Sequence, residues 1–163
     1  WAIAAVLVTT LALAACGSSS GSKSSDGSKS SATSSSDSGG VSTDTTAKGT
    51  PVEVVVGDTQ GTNGPMTMTV TPATAPAGDV TFTVKNTGTI KHEMVVLKTD
   101  TPYDQLAVTS GRVSEKDSVG EVGDVEPGKS GSVTLKLAAG NYVLVCNIKD
   151  HYPMGMRAAF TVS

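Results

Sequence analysis

Apolar and polar positions alternate with a period near two through much of the chain beyond residue 50. Val52-Glu-Val-Val-Val56, Met66-Thr-Met-Thr-Val70 and Val80-Thr-Phe-Thr-Val84 show this most plainly. Met94–Leu97, Val133–Leu137, Tyr142–Cys146 and Ala158–Val162 are further short apolar or alternating runs. Successive side chains of a strand point to opposite faces, so such runs predict half-buried or fully buried β-strands. Turn chemistry separates them at Asn63-Gly64-Pro65, Pro76-Ala77-Gly78, Asn86-Thr87-Gly88, Pro127-Gly128 and Gly140-Asn141. Seven short strands with these breaks predict an all-β fold, an antiparallel sandwich. One segment, Thr101–Leu106, predicts a helical turn with Pro102 at its first helical position. It falls in the long connection 98–130, which the pattern otherwise leaves unassigned.

Ahead of residue 51 the pattern changes twice. Residues 1–15 are almost wholly apolar, too short for a comfortable membrane span and followed at once by small polar residues. This predicts a signal peptide whose basic n-region is missing. Leu13-Ala14-Ala15-Cys16 resembles a bacterial lipobox, in which the cysteine is lipidated and becomes the mature N-terminus. Residues 17–50 are almost wholly Ser, Gly, Thr, Lys and Asp, with Val41 as the one large apolar side chain. Such a stretch buries too little surface to offset its ordering entropy and predicts a flexible linker. Its r.m.s. reach is roughly 30–35 Å. The expected organisation is a leader over 1–15, lipidated Cys16 and linker over 16–50, and one domain over 51–163. The expected location is the outer face of the cell membrane or the periplasm, anchored through Cys16.

The formal charge of −3 belongs to the domain, because the lysines and aspartates of the tail balance. Glu115, Asp117, Glu121, Asp124 and Glu126 cluster in the long connection, while Lys91, Lys149 and Arg157 flank the chemistry described next. An acidic cluster reads first as a solvated loop and second as a steering surface for a partner. No basic patch with interleaved aromatics occurs, so no nucleic-acid partner is expected.

The candidate chemistry lies near the C-terminus. Cys146, His151 and Met156 recur at intervals of five residues, and His92 stands upstream in a strand-like run. Two imidazoles, a thiolate and a thioether are the ligand set of a blue-copper site, three in a plane and the methionine weakly axial. Thiolate and thioether suit the cuprous ion, and imidazole suits both oxidation states. Removal of the leader leaves Cys146 as the sole thiol if Cys16 is lipidated. An unpaired thiol in an oxidising compartment calls for an explanation, and a metal supplies one. Met154 is a rival to Met156 as axial ligand. Met66, Met68 and Met94 read as core.

The segment Asn86-Thr-Gly-Thr-Ile-Lys-His92-Glu-Met-Val-Val, followed by Gly140-Asn-Tyr-Val-Leu-Val-Cys146 and the C-x4-H-x4-M loop, resembles the cupredoxin family. Its loop spacing is similar to the rusticyanin and sulfocyanin type. The resemblance spans essentially all of 51–163. It implies a Greek-key β-sandwich with one copper ion, Cu(I) or Cu(II), held by His92, Cys146, His151 and, more weakly, Met156. It also implies that His151 is the more exposed ligand and the electron port. Two positions depart from the family pattern. Glu93 stands where Asn or Ser often fixes the cysteine loop, and Lys149-Asp150 replaces the Pro-Gly often found before the loop histidine.

The expected function is single-electron transfer between membrane-associated redox partners, of cytochrome or oxidase type, by a monomeric lipid-anchored protein. An enzyme is not expected. Copper oxidases and nitrite reductases need further histidines, and His92 and His151 are the only two. The alternative is a copper chaperone or storage protein that binds the ion without passing electrons.

Overall fold

The structure, a computed structural model, describes residues 49–163. The leader, Cys16 and the linker therefore lie outside the described residues, apart from the last positions before residue 51. Two sheets face each other. The first has the order β2-β1-β4-β9, with β1 Thr50–Asp58, β2 Met66–Thr71, β4 Gly78–Asn86 and β9 Ser130–Leu137. The second has the order β3-β11-β10-β5-β8, with β3 Thr74–Ala75, β5 His92–Lys98, β8 Ser118–Val125, β10 Gly140–Val145 and β11 Arg157–Val162. A two-stranded ribbon, β6 Val108–Thr109 with β7 Arg112–Val113, completes the set.

All seven predicted runs are strands. The alternation explains why: Val52, Val54 and Val56 of β1 and Val80, Phe82 and Val84 of β4 turn inward and are buried. They meet Met94 and Val96 of β5, Leu144 of β10 and Phe160 of β11 in one core. Phe82 and Phe160 close the gap edge-to-face, with ring centroids 5.2 Å apart. Each such ring contributes about 1.5–3 kcal/mol by leaving water.

The structure corrects two expectations. The sandwich is not purely antiparallel, since β1 pairs with β4 and β3 with β11 in parallel. Nor is Thr101–Leu106 helical. A single turn closes from the Gln105 amide to the Pro102 carbonyl (2.9 Å), and the Leu106 amide donates instead to the Tyr152 hydroxyl (3.0 Å). That hydroxyl donates in turn to the Tyr103 carbonyl (2.9 Å), so a side chain takes up the backbone groups that would have extended a helix.

Strand register fixes where the candidate residues meet. Val145 pairs with Val95 on one side and Arg157 on the other. The start of β5, the end of β10 and the start of β11 thus share one end of the second sheet. The parallel pairing of β1 with β4 brings Val56 opposite Asn86 and carries Asp58 to the same end of the sandwich.

Candidate metal centre

His92 opens β5, Cys146 directly follows β10, and Met156 directly precedes β11, with His151 on the loop between the last two. All four residues are buried. The Nδ1 atoms of His92 and His151 lie 3.2 Å apart, and the Cys146 Sγ is 3.3 Å from the His151 Nδ1. One donor atom from each of these three residues falls within 4.8 Å of the others. Residues 54 positions apart in the chain, His92 and Cys146, therefore reach one point. Met156 is tied to both loop donors through the backbone: its carbonyl accepts from the Cys146 amide, and its amide donates to the His151 carbonyl, each at 3.1 Å. Met154 is only partly buried, and its carbonyl accepts from the Met66 amide at 3.1 Å.

The loop is shaped by local chemistry. The His151 amide closes a turn on the Ile148 carbonyl at 3.0 Å. Gly155 has φ +111°, and a Cβ there would stand 2.7 Å from the Met66 carbonyl oxygen, so only glycine fits. Asp150 also adopts a positive φ, 70°, and its amide donates to the Gly111 carbonyl at 2.8 Å. Aspartate tolerates this left-handed conformation better than most side chains.

Sequence reasoning missed three groups. Asp58 accepts the His92 Nε2 at 3.0 Å, buried with it. Asn147 holds the cysteine loop to β7, accepting the Val113 amide (2.8 Å) and donating to the Val113 carbonyl (3.0 Å) and the Glu115 carboxylate (2.6 Å). The Arg112 guanidinium caps the Asn147 carbonyl. An aspartate after Val-Val-Val-Gly reads as a turn residue, and Asn147 and Arg112 read as loop and surface. No local pattern signals such long-range partners.

Glu93 keeps a role beside the thiol. Its amide donates to the Cys146 Sγ at 3.4 Å, and its carboxylate accepts the Asn147 amide. The glutamate thus ties down the cysteine loop. The acidic cluster is partly spoken for, because Asp124 pairs with Lys91 at 2.7 Å and Glu115 is held by Asn147. Arg157 donates to the Tyr152 carbonyl (2.6 Å) and lies 5.0 Å over its ring.

Burial pushes the Cys146 thiol up to about 11, against the opposing pull of the Glu93 and Ile148 amides. Burial, then the neighbouring His92, lowers the His151 imidazole below its ordinary value. For Asp58 burial would raise the carboxyl, but hydrogen bonds from Thr89, His92 and the Gly61 amide outweigh it and hold it well below the usual carboxylate range. The donor set is therefore a thiol that only a strong cation would keep ionised and a neutral loop imidazole with a free lone pair. Soft sulfur with borderline nitrogen fits copper.

The sulfocyanin (SoxE) domain family matches residues 57–163. The chain belongs to the sulfocyanin family of cupredoxins. Copper is its cofactor. Solved structures agree on the fold. Auracyanin from Roseiflexus castenholzii is 26% identical, with a TM-score of 0.50 over 70% of this chain and 97% of its own. Rusticyanin from Thiobacillus ferrooxidans is 22% identical, with a TM-score of 0.53 over 71% of this chain and 79% of its own. Auracyanin A from Chloroflexus aurantiacus, described as a "blue" copper protein, is 21% identical, with a TM-score of 0.50 over 69% of this chain and 99% of its own. No curated protein matches the chain. His151 is the more accessible of the two imidazoles, as the resemblance implies, but by a narrow margin: 2% of its surface is accessible against 0% for His92.

Proposed function

We propose that the domain carries single electrons through one type 1 copper ion held by His92, Cys146 and His151, with Met156 as the weak axial ligand. The convergence of one donor atom each from His92, Cys146 and His151 within 4.8 Å, in a buried site, carries this reading. Bound there, copper supplies a one-electron couple between its cuprous and cupric forms. The protein's part is to keep the donors still. Hydrogen bonds from Glu93 to the sulfur, from Asn147 to β7 and between Met156 and its two loop neighbours leave little to rearrange when charge changes. Met156 is preferred to Met154 because it is fully buried and hydrogen-bonded through its backbone to Cys146 and His151.

The copper-handling alternative is weaker. It calls for accessible thioethers at Met66, Met68, Met94 and Met154, yet the first three are 2%, 8% and 0% exposed and belong to the core, which leaves partly exposed Met154 without a second accessible thioether. On our reading the protein works outside the cytoplasm, tethered through lipidated Cys16 by the linker over 17–50. It acts as a monomeric carrier, not an enzyme, between redox proteins of the membrane. Among the described residues no helix is long and apolar enough to cross a membrane.

Visible and EPR spectra of the copper-loaded protein, with Cys146→Ser alongside, test the reading. An intense thiolate-to-copper band in wild type alone supports it. Colourless binding that survives the substitution would sink it.

A further inference from the structure

The Asp58 carboxylate is surrounded by donors. Its Oδ1 accepts from the Gly61 amide (2.7 Å) and the Thr89 hydroxyl (2.6 Å). Its Oδ2 accepts from the amides of Thr89 (2.7 Å) and Ile90 (3.2 Å). Backbone amides can only donate, and an ionised carboxylate can only accept. The remaining contact, His92 Nε2 to Oδ2 at 3.0 Å, therefore requires the imidazole to donate. A proton on Nε2 leaves Nδ1 with a lone pair, and Nδ1 is the atom that faces His151 and the Cys146 cluster. Four donors from Gly61, Thr89 and Ile90 hold the carboxylate in place against the ring. Asp58 and His92 both have fully buried side chains, at 0% exposure, which leaves their attraction little screened by water.

We propose that Asp58 is a positioning residue for the metal, fixing His92 as its Nε2–H tautomer and, through its negative charge, biasing the site toward the cupric state. A carboxylate behind a ligand imidazole makes the ligand more basic and fixes its ring. The more highly charged ion gains most from a more basic ligand, so the carboxylate lowers the potential. The effect on potential rests on the copper reading above; the tautomer does not.

Two measurements on the full-length protein separate these claims. In copper-free, ¹⁵N-histidine-labelled wild type, NMR is expected to show the His92 proton on Nε2 and slow to exchange. A proton on Nδ1 overturns the inference, whether or not the protein turns blue. In copper-loaded Asp58→Asn, cupric affinity is expected to fall about 10–100-fold. Cuprous affinity should fall less, and each tenfold change in their ratio raises the potential by about 59 mV. Thr89→Val removes one hydroxyl from the same carboxylate and leaves the His92 contact in place. It should lower thermal stability without a comparable shift in potential. A folded, blue Asp58→Asn protein with wild-type potential overturns the charge effect, and a Thr89→Val shift equal to that of Asp58→Asn reduces Asp58 to a loop staple. If Asp58→Asn fails to fold, the wild-type tautomer decides. Absence of the blue band in wild type sinks the copper reading alone.

Discussion

The Asn147 side chain pairs with the Val113 backbone as a strand would, accepting its amide at 2.8 Å and donating to its carbonyl at 3.0 Å. A residue next to Cys146 is thereby locked to the short ribbon of β6 and β7. Asn147→Ala would orphan a buried amide and a buried carbonyl and release Glu115. Leaving such groups unsatisfied costs about 1–3 kcal/mol each. We expect a loss of about 2–4 kcal/mol in chemical denaturation, with a broadened copper EPR signal because the cysteine loop gains freedom.

Tyr152→Phe tests the other tie between the ligand loop and the long connection. The hydroxyl bridges the Leu106 amide and the Tyr103 carbonyl and can be removed with little change of shape. The expected loss is about 1–2 kcal/mol. Amide exchange at Leu106 should quicken at least tenfold, while the visible spectrum stays that of wild type. A changed spectrum would mean that the connection reaches the ligands as well as the loop's outer side.

These ties show what alternation and spacing conveyed and what they could not. The seven predicted strands carry their own signal, because each buries a stripe of apolar side chains. Strand β8 does not. Only Val122 and Val125 of its residues are buried, and they sit three apart because the ladder to β5 is bulged between His92 and Met94. Gly120 breaks the pattern further; its φ is +153°, and a Cβ there would displace the Leu135 side chain of β9, which lies 2.4 Å away. The thiol, imidazoles and thioether were legible because residue type and interval alone suggest a metal. Asp58 was not, since its link to His92 spans 34 residues and depends on the parallel pairing of β1 with β4. Glu93 stood out as a departure from the family, yet it still anchors the loop through its amide and carboxylate.

Copper uptake should depend on pH through Cys146. Its thiol, pushed up to about 11, must lose its proton to bind the ion, whereas His151 is lowered and already neutral above its ordinary 6.5. Between about pH 7 and 9 one proton should leave per ion, and affinity should rise about tenfold per pH unit. Competition against a chelator gives the slope, corrected for the chelator's own protonation. The sign for folding without copper follows from the same raised value. The thiol's stabilisation is complete below the ordinary 9.0 and is lost as pH rises through about 11. Cys146→Ser should remove both effects. A flat affinity profile would mean that the sulfur does not bind.

The choice between Met156 and Met154 is open to a direct comparison. Met156 has no accessible surface and exchanges backbone hydrogen bonds with Cys146 and His151, whereas Met154 is partly exposed and bonded to the start of β2. Leucine in place of the thioether takes a donor from the ion and leaves apolar surface beside it, which disfavours the more highly charged cupric form. Met156→Leu keeps the volume and removes the sulfur, so little stability should be lost. Its potential should rise by at least about 59 mV, equal to a tenfold shift in the ratio of affinities. Met154→Leu should leave the potential near wild type. The reverse pattern in voltammetry would move the axial role to Met154, and no shift in either variant would leave the site with three protein ligands.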